Sequence, residues 1–208
     1  DRLACGQARS KPYWTASHRR GRRRPARTTP IPGRTDNLPE PQIELLVLDV
    51  DGVLTDGRIH IDDSGCQSRA FHIQDGLGLT LWKSVGKQSA ILTSKNSPAV
   101  AARARMLGIT LIEQGAEDKL PGLENLLHAA GVESSQTAYV GDDLLDAPVL
   151  RRVGYPITVP NAAAELRKLA RFVTPRPGGE GAVRDAVEHL LCREGLWEQA
   201  LRHIGADR

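Results

Sequence analysis

Two aspartates stand two residues apart at the end of an apolar run, Leu45-Leu46-Val47-Leu48-Asp49-Val50-Asp51-Gly52-Val53. Carboxylates that close repel each other, so they need a cation, a shared proton, or both. A hard divalent ion with oxygen ligands meets that need, and Mg²⁺ suits a site that also takes a phosphate. Further along, Thr93-Ser94, Lys119 and Gly141-Asp142-Asp143, with Asp146 one turn on, add hydroxyls, a cation and more carboxylates. Such a set could carry phosphoryl transfer, which needs an in-line nucleophile, positive charge around the equatorial oxygens and a proton for the leaving oxygen. Asp49 would be the nucleophile, forming an aspartyl-phosphate. Asp51 would protonate the leaving alkoxide and then activate water. Thr93 and Ser94, with nearby backbone N–H groups, would hold phosphate oxygens, and Lys119 would neutralise charge on nucleophile and phosphate. Asp49, Asp51 and Asp142 would form the metal set, supported from behind by Asp143 and Asp146. Taken singly, each has a plain alternative: an acidic loop, a strand-end hydroxyl, a solvated helix charge. Their order along the chain, each at the end of an apolar run, favours the joint reading.

Those positions need a scaffold. A continuous apolar run bounded by turn formers predicts a strand buried on both faces, and open α/β sheets bind ligands at the carboxyl ends of their strands. If Asp49 and Asp51 continue that strand, their side chains point the same way and converge. After it, residues 58–71 read as a hairpin around Asp62-Asp63-Ser64-Gly65. Helices are predicted over 76–85, 97–107, 118–130, 144–153, 162–170 and 182–194, and strands over 88–93, 109–112, 137–141, 155–159 and 172–174. Alternation of this kind specifies an α/β fold: a doubly wound, Rossmann-like parallel sheet with helices on both faces. Residues 196–204 read as a short amphipathic helix that could meet a neighbouring subunit. The single histidines His60, His128, His189 and His203, and Trp82 and Trp197, read as surface or packing residues.

The charge is uneven. Residues 1–40 hold ten of the 28 basic and three of the 25 acidic residues, so the remaining 168 residues carry 18 basic against 22 acidic. The proline- and arginine-rich segment 1–40 cannot bury enough apolar surface to order itself and is expected to be a disordered tail. The other expected boundaries are a domain over 41–195 and a tail over 196–208. The acidic balance of the domain gives no support to a nucleic-acid partner. No apolar run approaches a membrane span, so no membrane is expected either. Three scattered cysteines, Cys5, Cys66 and Cys192, indicate neither a disulfide framework nor a zinc site and fit a cytoplasmic setting.

Asp49-Val50-Asp51-Gly52-Val53, Thr93, Lys119 and Gly141-Asp142-Asp143 match, in order, the four motifs of the haloacid dehalogenase superfamily of phosphatases. The resemblance spans roughly residues 42–195. Val50–Gly57, Phe71–Gly76, Leu107–Ile109, Tyr139–Leu144 and Gly181–Arg184 are similar to the branch of that superfamily that acts on 3-deoxy-D-manno-octulosonate 8-phosphate. The resemblance implies a Mg²⁺-dependent phosphatase of a small phosphorylated sugar acid in lipopolysaccharide synthesis. It also implies a hairpin flap in place of a cap domain, and a homotetramer in which a neighbouring subunit completes the site. A substrate loop, His72-Ile73-Gln74-Asp75-Gly76, would be joined by Lys95, Arg103, Lys119 and Asp51. The chain departs from that branch at Gln74, Thr80 and Glu180, where arginines are usual, and at Ser94-Lys95, which replaces Gly-Arg. Lysine does not match the bidentate grip of arginine on a carboxylate. A nine-carbon sugar-acid phosphate, another phosphosugar, or a non-catalytic assembly module related to sialic-acid cytidylyltransferase tails are the other readings.

Overall fold

The structure, a computed structural model, describes residues 41–206. The expected tail over 1–40 lies outside the described residues. The first strand, β1 (Leu45–Leu48), has all four side chains fully buried. Each such aliphatic side chain contributes roughly 1.5–3 kcal/mol on leaving water, which fixes this strand at the centre of the sheet. On one side it pairs in parallel with β4 (Gln88–Thr93), which in turn pairs with β5 (Leu111–Gln114). On the other side come β6 (Thr137–Gly141), β7 (Tyr155–Thr158) and β8 (Phe172–Val173), all parallel. The strand order β5-β4-β1-β6-β7-β8 reverses direction at β1 and β6, and the crevice beyond such a reversal is where open α/β sheets take ligands.

Helices cover the sheet in two groups. Helix α1 (Ile73–Ser84) packs against α2 (Pro98–Leu107), α6 (Ala182–Arg193) and α7 (Trp197–His203). Helix α3 (Lys119–Ala130) packs against α4 (Ala147–Arg152), which packs against α5 (Ala164–Leu169). A separate antiparallel hairpin, β2 (His60–Ile61) and β3 (Gln67–Ser68), stands exposed after β1. No cap domain is present among the described residues, and none of their helices is long and apolar enough to cross a membrane.

Several boundaries differ from expectation for local reasons. Helix α1 begins at Ile73 because the His72 ring accepts the Gln74 N–H and caps the first turn. The stretch expected as a substrate loop is therefore that first turn. Strand β5 starts two residues late, since Gly108 turns left-handed and the Ile109 N–H closes onto Ala104 O to finish α2. The helix expected over 144–153 splits: a capping box between Asp143 and Asp146 folds Leu144–Asp146 into a 3₁₀ turn before α4. Helix α7 packs on its own chain, with Ala200 buried and the Arg184 guanidinium 5.6 Å from the Trp197 ring centre.

Candidate active site

The carboxyl ends of β1 and β6 and the start of α3 bring four of the expected residues together. Lys119 opens α3 with Asp118 as its cap, and its ammonium lies 2.9 Å from Asp49 Oδ2 and 2.5 Å from Asp146 Oδ1. All three side chains are largely or wholly buried. Asp49, Asp142 and Asp146 each offer a carboxylate oxygen to one cluster, with those atoms within 4.8 Å of one another.

Asp146 is fully engaged. Its Oδ1 accepts from the Lys119 ammonium and the Tyr139 hydroxyl, each at 2.5 Å. Its Oδ2 accepts the Asp142 and Asp143 N–H groups at 2.8 and 3.1 Å. Four donors use the four lone-pair sites of a carboxylate, so Asp146 braces the cluster and has nothing left for an added ion. Asp142 is the opposite case: its Oδ1 is buried and has no hydrogen-bond partner. Burial, then the nearness of Asp49 and Asp146, push its carboxyl up to about 7. Burial and Asp146 push Asp49 to about 7 as well, against the pull of Lys119. Burial opposes the Lys119 charge, but Asp49 and Asp146 outweigh it and raise its pKa. Two carboxyls held reluctant to ionise beside an orphaned oxygen form a donor set that fits a hard divalent cation.

Asp51 departs from expectation. Strand β1 ends at Leu48, and the chain turns through Asp51 (φ −75°, ψ 114°) and Gly52 (φ 92°), so strand alternation no longer governs these residues. The Asp51 carboxylate is not a member of the cluster. Arg69, next to the hairpin, holds it with Nε at 2.7 Å from Oδ1 and Nη2 at 3.3 Å from Oδ2. Gly52 is required where it is: a Cβ there would lie 1.9 Å from Asp142 Oδ2, besides the positive φ.

At the end of β4, Thr93 is buried, and its hydroxyl oxygen takes the Lys95 N–H at 3.4 Å. Ser94 is half-buried and the Lys95 side chain exposed. A second group forms around the start of α1. Arg103 from α2 donates to His72 O at 3.2 Å and lies against Gly76, where a Cβ would meet its guanidinium at 3.0 Å. Ile73 is exposed, and the exposed Gln74 accepts from Arg176 Nη1 at 2.5 Å. Asp75 is turned into the protein, where Oδ1 accepts the Arg184 N–H at 2.9 Å and burial raises its pKa. Asp143 is exposed and caps the 3₁₀ turn.

Sequence reasoning missed Arg69, Tyr139 and Asn161. Asn161 donates to Gly52 O at 3.2 Å and accepts the Gly178 N–H at 2.9 Å, bracing the turn that follows Asp51. Gly178 lies so close that a Cβ would be 1.7 Å from Gly52 O. The glycine run Gly178-Gly179-Glu180-Gly181 was the available signal for that approach. For Tyr139 it was a lone phenol in an aliphatic strand. Arg69 offered none beyond being the one cation on the hairpin's return.

A phosphatase-like centre on a doubly wound sheet without a cap defines the class. The family of haloacid dehalogenase-like hydrolases matches residues 90–185, and the chain belongs to it. The chain is 39% identical over 158 residues to 3-deoxy-D-manno-octulosonate 8-phosphate phosphatase of Escherichia coli K12, covering 76% of this chain and 84% of that protein. The phosphatase of that name from Moraxella catarrhalis, solved with magnesium, phosphate and KDO, is 40% identical with a TM-score of 0.75, covering 78% and 93%. The cobalt-bound phosphatase from Haemophilus influenzae is 35% identical with a TM-score of 0.73, covering 76% and 92%.

Proposed function

We propose that the chain is a Mg²⁺-dependent phosphomonoesterase of a phosphorylated 2-keto-3-deoxy sugar acid, foremost 3-deoxy-D-manno-octulosonate 8-phosphate. The observation that carries this reading is the buried Lys119–Asp49 pair facing the unpartnered Asp142 oxygen. Asp49 attacks the phosphorus with its Oδ2, and Lys119 holds that oxygen and offsets its charge. Asp51 gives a proton to the leaving sugar oxygen and later takes one from water. Asp49 and Asp142 would hold the ion, because Arg69 draws the Asp51 carboxylate away from the cluster and four donors occupy Asp146. Bound there, Mg²⁺ supplies positive charge against the phosphoryl oxygens. Thr93, Ser94 and Lys119 hold the phosphate. His72, Gln74, Gly76, Lys95 and Arg103 meet the sugar acid, with Ile73 as an exposed wall and Asp75 fixing the first turn of α1 from behind.

The assembly is proposed to be a homotetramer, in keeping with large exposed apolar side chains at Ile61, Ile73, Leu144 and Leu145. Two exposed free thiols, Cys66 and Cys192, support a reducing cytoplasm as its place. A nine-carbon sugar-acid phosphate is the second reading: Gln74, whose amide oxygen accepts from Arg176, brings no charge of its own to the carboxylate that both acids carry, so substrate length is left to the rest of the rim. Release of phosphate from a panel of eight- and nine-carbon acids and simple phosphosugars, with and without Mg²⁺, tests both. Turnover is expected only with the metal, fastest on the eight-carbon acid, and lower by several orders of magnitude in Asp49→Asn. A folded protein that releases phosphate from nothing sinks the enzyme reading and leaves an assembly module.

A further inference from the structure

We propose that Arg69 is a positioning residue that aims the Asp51 carboxylate at the water that hydrolyses the acyl-phosphate on Asp49. The inference rests on the phosphatase reading above and adds a residue to it. Asp51 sits on a turn, not a strand, so neither pleat nor ladder fixes its side chain. Its carboxylate is about a quarter exposed, 24%, and a carboxylate so placed is free to rotate unless something grips it. Arg69 grips it with both prongs of one guanidinium edge, Nε and Nη2, at 2.7 and 3.3 Å, the planar geometry that arginine offers and lysine cannot. The fork is itself immobilised: its side chain is 1% exposed, and Nη1 donates to Ser97 Oγ at 3.1 Å. Ser97 precedes α2, and its N–H is held by Gln114 Oε1 at 2.9 Å. The chain of contacts runs from β5 through Ser97 to Arg69 and ends on Asp51. The strands of the hairpin are otherwise exposed at every position, so this buried cation is the tie between flap and reaction centre.

A carboxylate has about four lone-pair sites, and Arg69 takes two, leaving one on each oxygen. In the hydrolytic step a water oxygen bonds to phosphorus as the bond from phosphorus to Asp49 Oδ2 breaks. The water's proton passes to a free lone pair of Asp51, and Asp49 is returned as a carboxylate with inorganic phosphate released. Nothing in this step moves Arg69. Its fork keeps Asp51 from turning away.

The test is rapid-mixing kinetics with p-nitrophenyl phosphate and Mg²⁺, comparing the full chain with Arg69→Met and Arg69→Lys. Nitrophenolate needs no proton to leave, so the first step spares Asp51 and the second does not. Arg69→Met is expected to give a burst of about one nitrophenolate per site, then turnover about 100-fold slower than the parent. Acid-quenched phosphoenzyme should accumulate, with KM lowered along with turnover and kcat/KM kept, because only the second step is slowed. Arg69→Lys, which keeps the charge but not the fork, should recover part of the rate. Burst and turnover falling together, or a raised KM with turnover kept, would show that Arg69 only folds the flap or binds substrate, and would overturn the proposal. A parent protein with no burst and no turnover overturns the phosphatase reading, and this proposal with it.

Discussion

The floor of the site and its rim are built differently. On the floor, Asp146 satisfies four donors, Lys119 bridges two carboxylates, and the fully buried Tyr139 touches both partners, donating to Asp146 and accepting from Lys119 at 3.3 Å. On the rim, Ile73 is 83% exposed, Lys95 points to solvent, and Arg103 Nε is buried without a hydrogen-bond partner. Groups that act on charge as it develops gain from being fixed before the substrate arrives. Groups that select a substrate gain from being left partly unsatisfied, because the ligand then completes them. The fold supplies the first kind and leaves the second open to a ligand or a neighbouring chain.

That contrast can be broken at several points. Removing the brace should do most: Asp146→Ala leaves the Tyr139 hydroxyl and two backbone N–H groups without their acceptor in the interior and Lys119 with Asp49 as its one remaining carboxylate. It is expected to cost about 3–5 kcal/mol of stability, read by urea denaturation. Turnover should fall with it. On the rim, Arg103→Ala should leave unfolding within ~1 kcal/mol of the parent and raise KM for a sugar-acid phosphate by roughly 10- to 100-fold, the worth of a charge-assisted hydrogen bond. Its turnover of p-nitrophenyl phosphate should hardly move. If both variants lose stability alike, the distinction between floor and rim is wrong.

A smaller effect depends on pH. Asp49 and Asp142 titrate near 7 in the fold, against 3.8 for an unhindered carboxyl. Between those values the folded chain binds more protons than the unfolded one, so these two groups favour folding most below about pH 4 and lose that contribution as pH rises to 7. A cation that binds their ionised forms must displace those protons. Mg²⁺ is therefore expected to raise the melting temperature little at pH 5 and by several degrees at pH 8, measured by scanning fluorimetry. An equal shift at both values would place the ion elsewhere. Asp142→Asn should abolish the pH 8 shift.

What was legible in the sequence follows the same division. Buried strands announce themselves as apolar runs, and polar residues at their ends have few roles open to them; hence β4 and β6 fall on residues 88–93 and 137–141 as expected, and Asp49, Lys119, Asp142 and Asp146 converge. The alternation of strand and helix gave the sheet. Less legible were features set by one side chain reaching across the fold. Nothing in spacing told that Asp51 would leave the cluster for Arg69, because that depends on where β1 ends and how Gly52 turns. His72 starting α1 three residues early, and Gly108 delaying β5, turn on caps whose energies of about 1 kcal/mol are too small to stand out in a pattern of hydrophobicity.

The junction of Asn161 and Gly178 with the turn at Gly52 spans much of the chain: Asn161 reaches back across 109 positions, and Gly179 N–H adds a bond to Val53 O at 3.1 Å. On the ribosome Asp49 emerges well before the segment that clasps its loop. A nascent or clipped chain ending before residue 178 has every carboxylate of the centre and Asn161, but neither Gly178 nor Gly179 to complete the clasp. Completion of synthesis, not appearance of Asp49, is what closes the loop, and proteolysis between α5 and α6 would reopen it without touching a reactive group.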